Sequence, residues 1–180
     1  MDKFYEYKIG IKNDFNFWII SIWYWYYYLL FSMLRDINFL KIAYEISTAS
    51  KCVSRKNGAV IVKDGRIVST GYNGTPPGYI NCHDYWKGEY TKDHHEWSYK
   101  YEIHAEMNAI VWAARKGIAV EWATMYCTYE PCFDCIRAII AAGLKRIVFS
   151  EKYKHHVGTE LQDFIEANDA EITHLEVERK

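Results

Sequence analysis

The sequence predicts an α/β domain of three layers, and three observations point to it. Gly58 to Lys63 and Arg66 to Tyr72 are Val- and Ile-rich runs around Lys63-Asp64-Gly65, the signature of a β-hairpin closed by an Asp-Gly turn. After the hairpin, segments of helical and strand character alternate to the C-terminus, the order that lays helices on a sheet. Two patterns dense in metal-binding side chains, His104-Ala105-Glu106 and Pro131-Cys132-Phe133-Asp134-Cys135, stand where two of those helices begin.

Taken in order, the chain opens on an oddity. Phe15 to Ser32 reads FNFWIISIWYWYYYLLFS without a single charge. Its length approaches that of a membrane span, but Trp and Tyr favour the membrane interface over its centre. No small-residue cleavage site follows, which argues against a signal peptide. Residues 1–35 therefore read as a dispensable extension, in preference to a membrane-surface segment or a weak span, and 36–180 as the working domain. Asp36 is expected to cap a helix running to about Ala49, with Ile37, Leu40, Ala43 and Tyr44 on one face. The hairpin follows, then a polar and aromatic loop from Asn73 to Glu102. A helix is predicted from His104 to Lys116, closed by Gly117. A strand over 123–129 leads to a helix opened by Pro131 and ended before Gly143. A strand over 145–150, a helix over 159–167 and a strand near 171–177 complete the domain.

Composition narrows the function. At 180 residues, with half of them hydrophobic and a net charge of −1, the chain can bury a core but offers no basic face for a nucleic-acid polymer. Five cysteines form no regular disulfide framework, so metal or core roles rank first. Cys132 and Cys135 are three apart on one helical face, in a first turn whose partial positive charge favours thiolates. With His104 they make a set of three ligands, which leaves a tetrahedral zinc one open position, as catalysis requires. Residues two apart do not share a face on a regular helix, so His104 should sit where the backbone is only entering it. Glu106 can then flank the metal without ligating it. A closed, purely structural zinc knuckle would use four protein ligands and give Glu106 no task.

The pair HAE and PCFDC has the form of the zinc nucleobase deaminases, in which zinc lowers the pKa of water to about 7 and a neighbouring Glu carries protons. The longer stretches SKCVSRKNGAVIVKDGRIVSTGYNGTPPGYINC, HHEWSYKYEIHAEMNAIVWAARKG and ATMYCTYEPCFDC resemble the deoxycytidylate deaminases, the phage-type branch in particular. The resemblance covers about Ile37 to Asp163. It implies a cytidine-deaminase-like fold, α/β/α with a mixed five-stranded sheet, and hydrolysis of dCMP to dUMP and ammonia, supplying dUMP for thymidylate synthesis. It also implies activation by dCTP, inhibition by dTTP, a hexamer and a cytoplasmic location.

Matched residue by residue, His104, Cys132 and Cys135 correspond to the catalytic zinc ligands and Glu106 to the proton-carrying acid. Cys52, Cys82, His94 and Glu102 correspond to a second, structural zinc site. Tyr153 corresponds to a residue at the substrate's phosphate end. Gly71, Tyr72, Asn73 and Gly74 correspond to the allosteric nucleotide motif, with Trp112 and Arg115 on the helix that carries further allosteric and intersubunit contacts. Two features depart from the pattern: a short loop between Cys82 and His94, and Phe133 where Pro is common. Rival substrates within the same architecture are another nucleoside, a base or a tRNA adenine.

Overall fold

The computed structural model describes residues 16–153 and 159–177. Its elements are helix α1 (Asn16–Ser47), strands β1 (Gly58–Lys63) and β2 (Arg66–Tyr72), helices α2 (Cys82–Tyr85), α3 (His94–Tyr101) and α4 (Ala105–Arg115), then β3 (Thr124–Tyr129), α5 (Phe133–Ala141), β4 (Arg146–Glu151), α6 (Thr159–Ala167) and β5 (Glu171–His174). The strands form one mixed sheet in the order β2-β1-β3-β4-β5. β1 is antiparallel to both β2 and β3, whereas β3, β4 and β5 run parallel.

Sequence periodicity explains the layers. In β1, Ala59 and Ile61 face one side and Val60 and Val62 the other, as the two-residue repeat of a strand requires. Ala59 and Ile61 join Met125, Ile147 and residues of α4, α5 and α6 in the larger core. Val60 and Val62 join Tyr126, Val148 and the α1 residues Leu40 and Ala43 in the smaller one. The sheet is thus covered on both faces, the α/β/α arrangement expected. The hairpin turn is the one its sequence demands: Asp64 and Gly65 both have positive φ, at 52° and 74°.

Two expectations need correction. Asp36 does not cap a helix; it lies inside α1, because no Gly or Pro interrupts the aromatic run upstream and nothing stops the helix there. Instead its buried carboxylate accepts hydrogen bonds from the Tyr126 hydroxyl at 2.6 Å and, bidentately, from the Arg146 guanidinium at 3.1 and 2.8 Å. That pair binds α1 to β3 and β4. Replacing Asp36 with alanine should cost about 3 kcal/mol in urea unfolding, since it leaves a half-buried guanidinium only the exposed carboxylate of Glu171 at 3.6 Å. A loss below about 1 kcal/mol would show the pair to be dispensable. The second correction concerns the loop after β2, which contains α2 and α3; the sequence HHEWSYKY has no apolar stripe to announce a helix.

The chain divides into two units, Met1–Arg35 and Asp36–Lys180. In the first, Tyr26, Tyr27, Leu29, Leu30 and Phe31 are exposed. Among the described residues no helix is long and apolar enough to cross a membrane.

Candidate active site

Two helix N-termini converge on one point. His104 is the N-cap of α4, with extended backbone at φ −64° and ψ 154°, so its side chain leaves before the helix begins. Cys132 is the N-cap of α5, and Cys135 lies within that helix's first turn. The helix opened by Pro131 therefore starts two residues later than expected. Nδ1 of His104 lies 3.5 Å from the Cys132 sulfur and 3.4 Å from the Cys135 sulfur. One ring nitrogen has one lone pair or one proton, and cannot bond well to two sulfurs at once. Arms of 2.0–2.1 and 2.3 Å at tetrahedral angles, however, set zinc ligands about 3.5 Å apart. The donor set and its spacing fit zinc.

The electrostatics agree with that reading. Cys132 is drawn down to about 4 by hydrogen bonding from Cys135 and from His104, at the positive end of α5. His104 is raised to about 9, chiefly by Cys132, while Cys135, donating to Cys132, is pushed up. Three groups contend for protons in a space one cation would fill. Glu106, in the first turn of α4, is 6% exposed, and burial pushes its carboxyl pKa up against the opposing pull of His104. Cys127, in the middle of β3, is part of the larger core.

The second predicted cluster also comes together. Nε2 of His94 lies 3.5 Å from the Cys52 sulfur and 3.1 Å from the Cys82 sulfur. The ligand atoms of Cys52, Cys82, His94 and Glu102 all lie within 4.8 Å of one another, and all four residues are buried. Glu102 accepts a hydrogen bond from the Ser98 hydroxyl through Oε2 at 2.5 Å, yet its buried Oε1 has no hydrogen-bond partner. A buried carboxylate oxygen without a partner is costly, and a metal satisfies it. Burial raises Cys52, raises Cys82 to about 12 and lowers His94, each against its charged form, as expected of donors packed without a counter-charge. The two clusters differ in access: the four-residue cluster is closed, whereas His104 in the three-residue cluster is exposed.

The glycine-rich segment has structural work of its own. A Cβ on Gly71 would lie 2.2 Å from the Ala105 carbonyl oxygen, so this glycine lets α4 lie against β2. Asn73 is a hub. Its carbonyl accepts from the Ser50 hydroxyl, its Oδ1 from the Asn57 N–H, and its Nδ2 donates to the Arg55 carbonyl. Gly74 pairs with Ile103 through two backbone hydrogen bonds of 3.1 and 2.9 Å, fixing the residue before His104. Tyr72 is exposed, and Arg115, also exposed, stacks on the Trp112 ring at 5.9 Å. Tyr153 follows β4 and donates its N–H to Glu130 Oε2 at 3.2 Å. No pattern in the sequence marks Asn73 as an organiser, Ser98 as the partner behind Glu102, or Arg55, whose guanidinium lies over the Tyr129 and Tyr153 rings.

An open site of three zinc-type donors with a buried carboxyl at its edge suits metal-assisted hydrolysis, and the comparisons with known proteins give the class of hydrolase, a zinc-dependent deaminase. Residues 33–151 match the family model described as the cytidine and deoxycytidylate deaminase zinc-binding region, and the chain belongs to that family. The deoxycytidylate deaminase of Enterobacteria phage T4 is 45% identical over 153 residues, covering 67% of this chain and 79% of the phage protein. That of Mycobacterium phage D29 is 35% identical over 131 residues, covering 65% and 94% respectively. A crystal structure of dCMP deaminase from the cyanophage S-TIM5 in complex with dCMP and dUMP superposes with a TM-score of 0.62 at 30% identity, over 77% of this chain and 94% of that one.

Proposed function

We propose that this chain hydrolyses dCMP to dUMP and ammonia, with His104, Cys132 and Cys135 holding the catalytic zinc. The observation that carries the reading is the buried carboxyl of Glu106 beside an open three-ligand site. When bound, zinc supplies Lewis acidity that brings the pKa of water to about 7. Glu106 takes a proton from the water that adds to C4 of cytosine and delivers it to N3. It then takes the remaining proton from the hydroxyl now on C4 and passes it to the amine, and ammonia departs to leave the uracil carbonyl. The raised carboxyl pKa suits a group that must both take and release protons near neutrality. Tyr153 stands at the phosphate end of the substrate.

We assign Cys52, Cys82, His94 and Glu102 to a second, structural zinc. Four buried ligands leave no open position, and they fasten the segment around α2 and α3 to the chain before β1. Effector binding by dCTP and dTTP belongs to Gly71, Tyr72, Asn73 and Gly74 with Arg115, in a cytoplasmic hexamer. Tyr72, whose side chain is exposed, is the best placed of these, since Gly71 and Asn73 serve packing and Gly74 pairs with Ile103. Residues 1–35 are dispensable in this reading.

One experiment tests these assignments together. A panel of cytosine, adenine and guanine compounds is assayed for ammonia release, with zinc counted on the same sample. It is run with and without dCTP and dTTP, on the full chain and on a chain starting at Met33. Preference for dCMP is expected, with saturation curves moved in opposite directions by the two effectors and equal turnover from both chains. Preference for a nucleoside, a free base or a tRNA adenine would overturn the substrate. Unmoved curves would remove the effector site, and an inactive shorter chain would give the extension a role.

A further inference from the structure

We infer that Arg55 is the residue that receives the substrate's 5′-phosphate, which makes the enzyme select nucleotides over nucleosides. The inference rests on the dCMP reading above and adds a residue to it. The Arg55 guanidinium carbon lies 4.8 Å from the centroid of the Tyr129 ring and 5.2 Å from that of Tyr153. Stacking of this kind uses the π faces of a guanidinium and leaves its in-plane N–H donors free. Among the described residues, no carboxylate lies within ion-pair distance of Arg55 and its guanidinium donates no hydrogen bond. A half-buried arginine held in place with its donors unspent is suited to a planar, bidentate anion such as phosphate.

Position ties this arginine to the chemistry. Tyr129 ends β3 and leads through Glu130 and Pro131 into Cys132, so at most roughly 10 Å of extended chain separates it from a zinc ligand. That is the scale of a nucleotide, with the ring at the metal and the phosphate at Arg55. Tyr153 is held beside it by the hydrogen bond from its N–H to Glu130. The backbone of Arg55 is fixed at both ends: its N–H points at the Cys52 sulfur, and its carbonyl accepts from Asn73 Nδ2 at 3.0 Å. The second metal cluster and the glycine-rich segment together thus set where the arginine stands.

The test compares the full-length enzyme with Arg55→Met, which keeps the apolar stem, and with Arg55→Lys, which keeps the charge without the fork. KM for dCMP and kcat are measured, as is inhibition by dUMP and by deoxyuridine, which lacks the phosphate. For Arg55→Met the expected result is a KM raised on the order of 10- to 100-fold, the scale of one charged contact, with kcat little altered. Inhibition by dUMP should weaken by a similar factor and inhibition by deoxyuridine should hold, and Arg55→Lys should fall between. A loss confined to kcat, equal weakening of both inhibitors, or unchanged kinetics would each overturn the role of Arg55. A wild-type enzyme that fails to turn over dCMP would overturn the substrate reading itself, and this inference with it.

Discussion

Replacing Glu106 with glutamine is expected to lower dUMP formation by about 10²- to 10⁴-fold, the usual worth of a positioned acid–base group. The substitution keeps the size and shape of the side chain, so the first turn of α4 has no cause to unpack. It removes an ionisable group whose burial already disfavours its charge. The variant should therefore melt at or above the temperature of the wild type while losing turnover. A site that sacrifices stability for chemistry behaves in this way. Zinc content should also be unchanged, because the donors that converge are His104, Cys132 and Cys135 and not Glu106. Turnover within tenfold of wild type would remove Glu106 from the mechanism. Loss of zinc would make it a ligand instead.

The parts of the molecule legible in the sequence are those whose determinants are local. Asp64-Gly65 fixes a turn by its own φ preferences, and both hairpin strands have the bounds expected. The helix α6 likewise begins and ends where its pattern does. His104, Cys132 and Cys135 are legible because each sits at a helix entrance, where a short motif and a helix dipole coincide. What the sequence concealed depends on partners far along the chain. Asp36 looks like a cap until Tyr126 and Arg146 arrive from β3 and β4 to claim its carboxylate. The helices α2 and α3 have no apolar periodicity; their buried members are Cys82, His94 and Trp97, gathered around ligands rather than on a common hydrophobic stripe. Asn73 and Arg55 acquire their roles only when three segments meet, and no spacing rule in a single sequence marks such a meeting. Resemblance alone pointed to the second cluster for the same reason: its ligands come from widely separated stretches.

Replacing Cys82 with serine should expose how much of the enzyme depends on that second cluster. Serine nearly matches the thiol in size but is a poor zinc ligand, so metal content should drop by one zinc per chain while the catalytic centre stays loaded. The remaining Cys52, His94 and Glu102 would be left buried without the cation that satisfies them, a situation that costs on the order of 3–5 kcal/mol. For a domain of this size that corresponds to a melting temperature lower by roughly 10 °C. Trp97 packs directly against this cluster and Trp86 lies 6.1 Å from the His94 ring, so tryptophan emission should shift to the red as water enters. Activity should fall as well, although no catalytic ligand has been touched. Glu102 is two residues from His104, Ile103 between them is pinned to Gly74, and Cys52 anchors the strand of chain that carries Arg55. A loosened second centre would thus disturb the metal end and the phosphate end of the site together, raising KM and lowering kcat. If zinc content and melting temperature are both unchanged, the four residues hold no metal, and the unpartnered oxygen of Glu102 must be satisfied in another way.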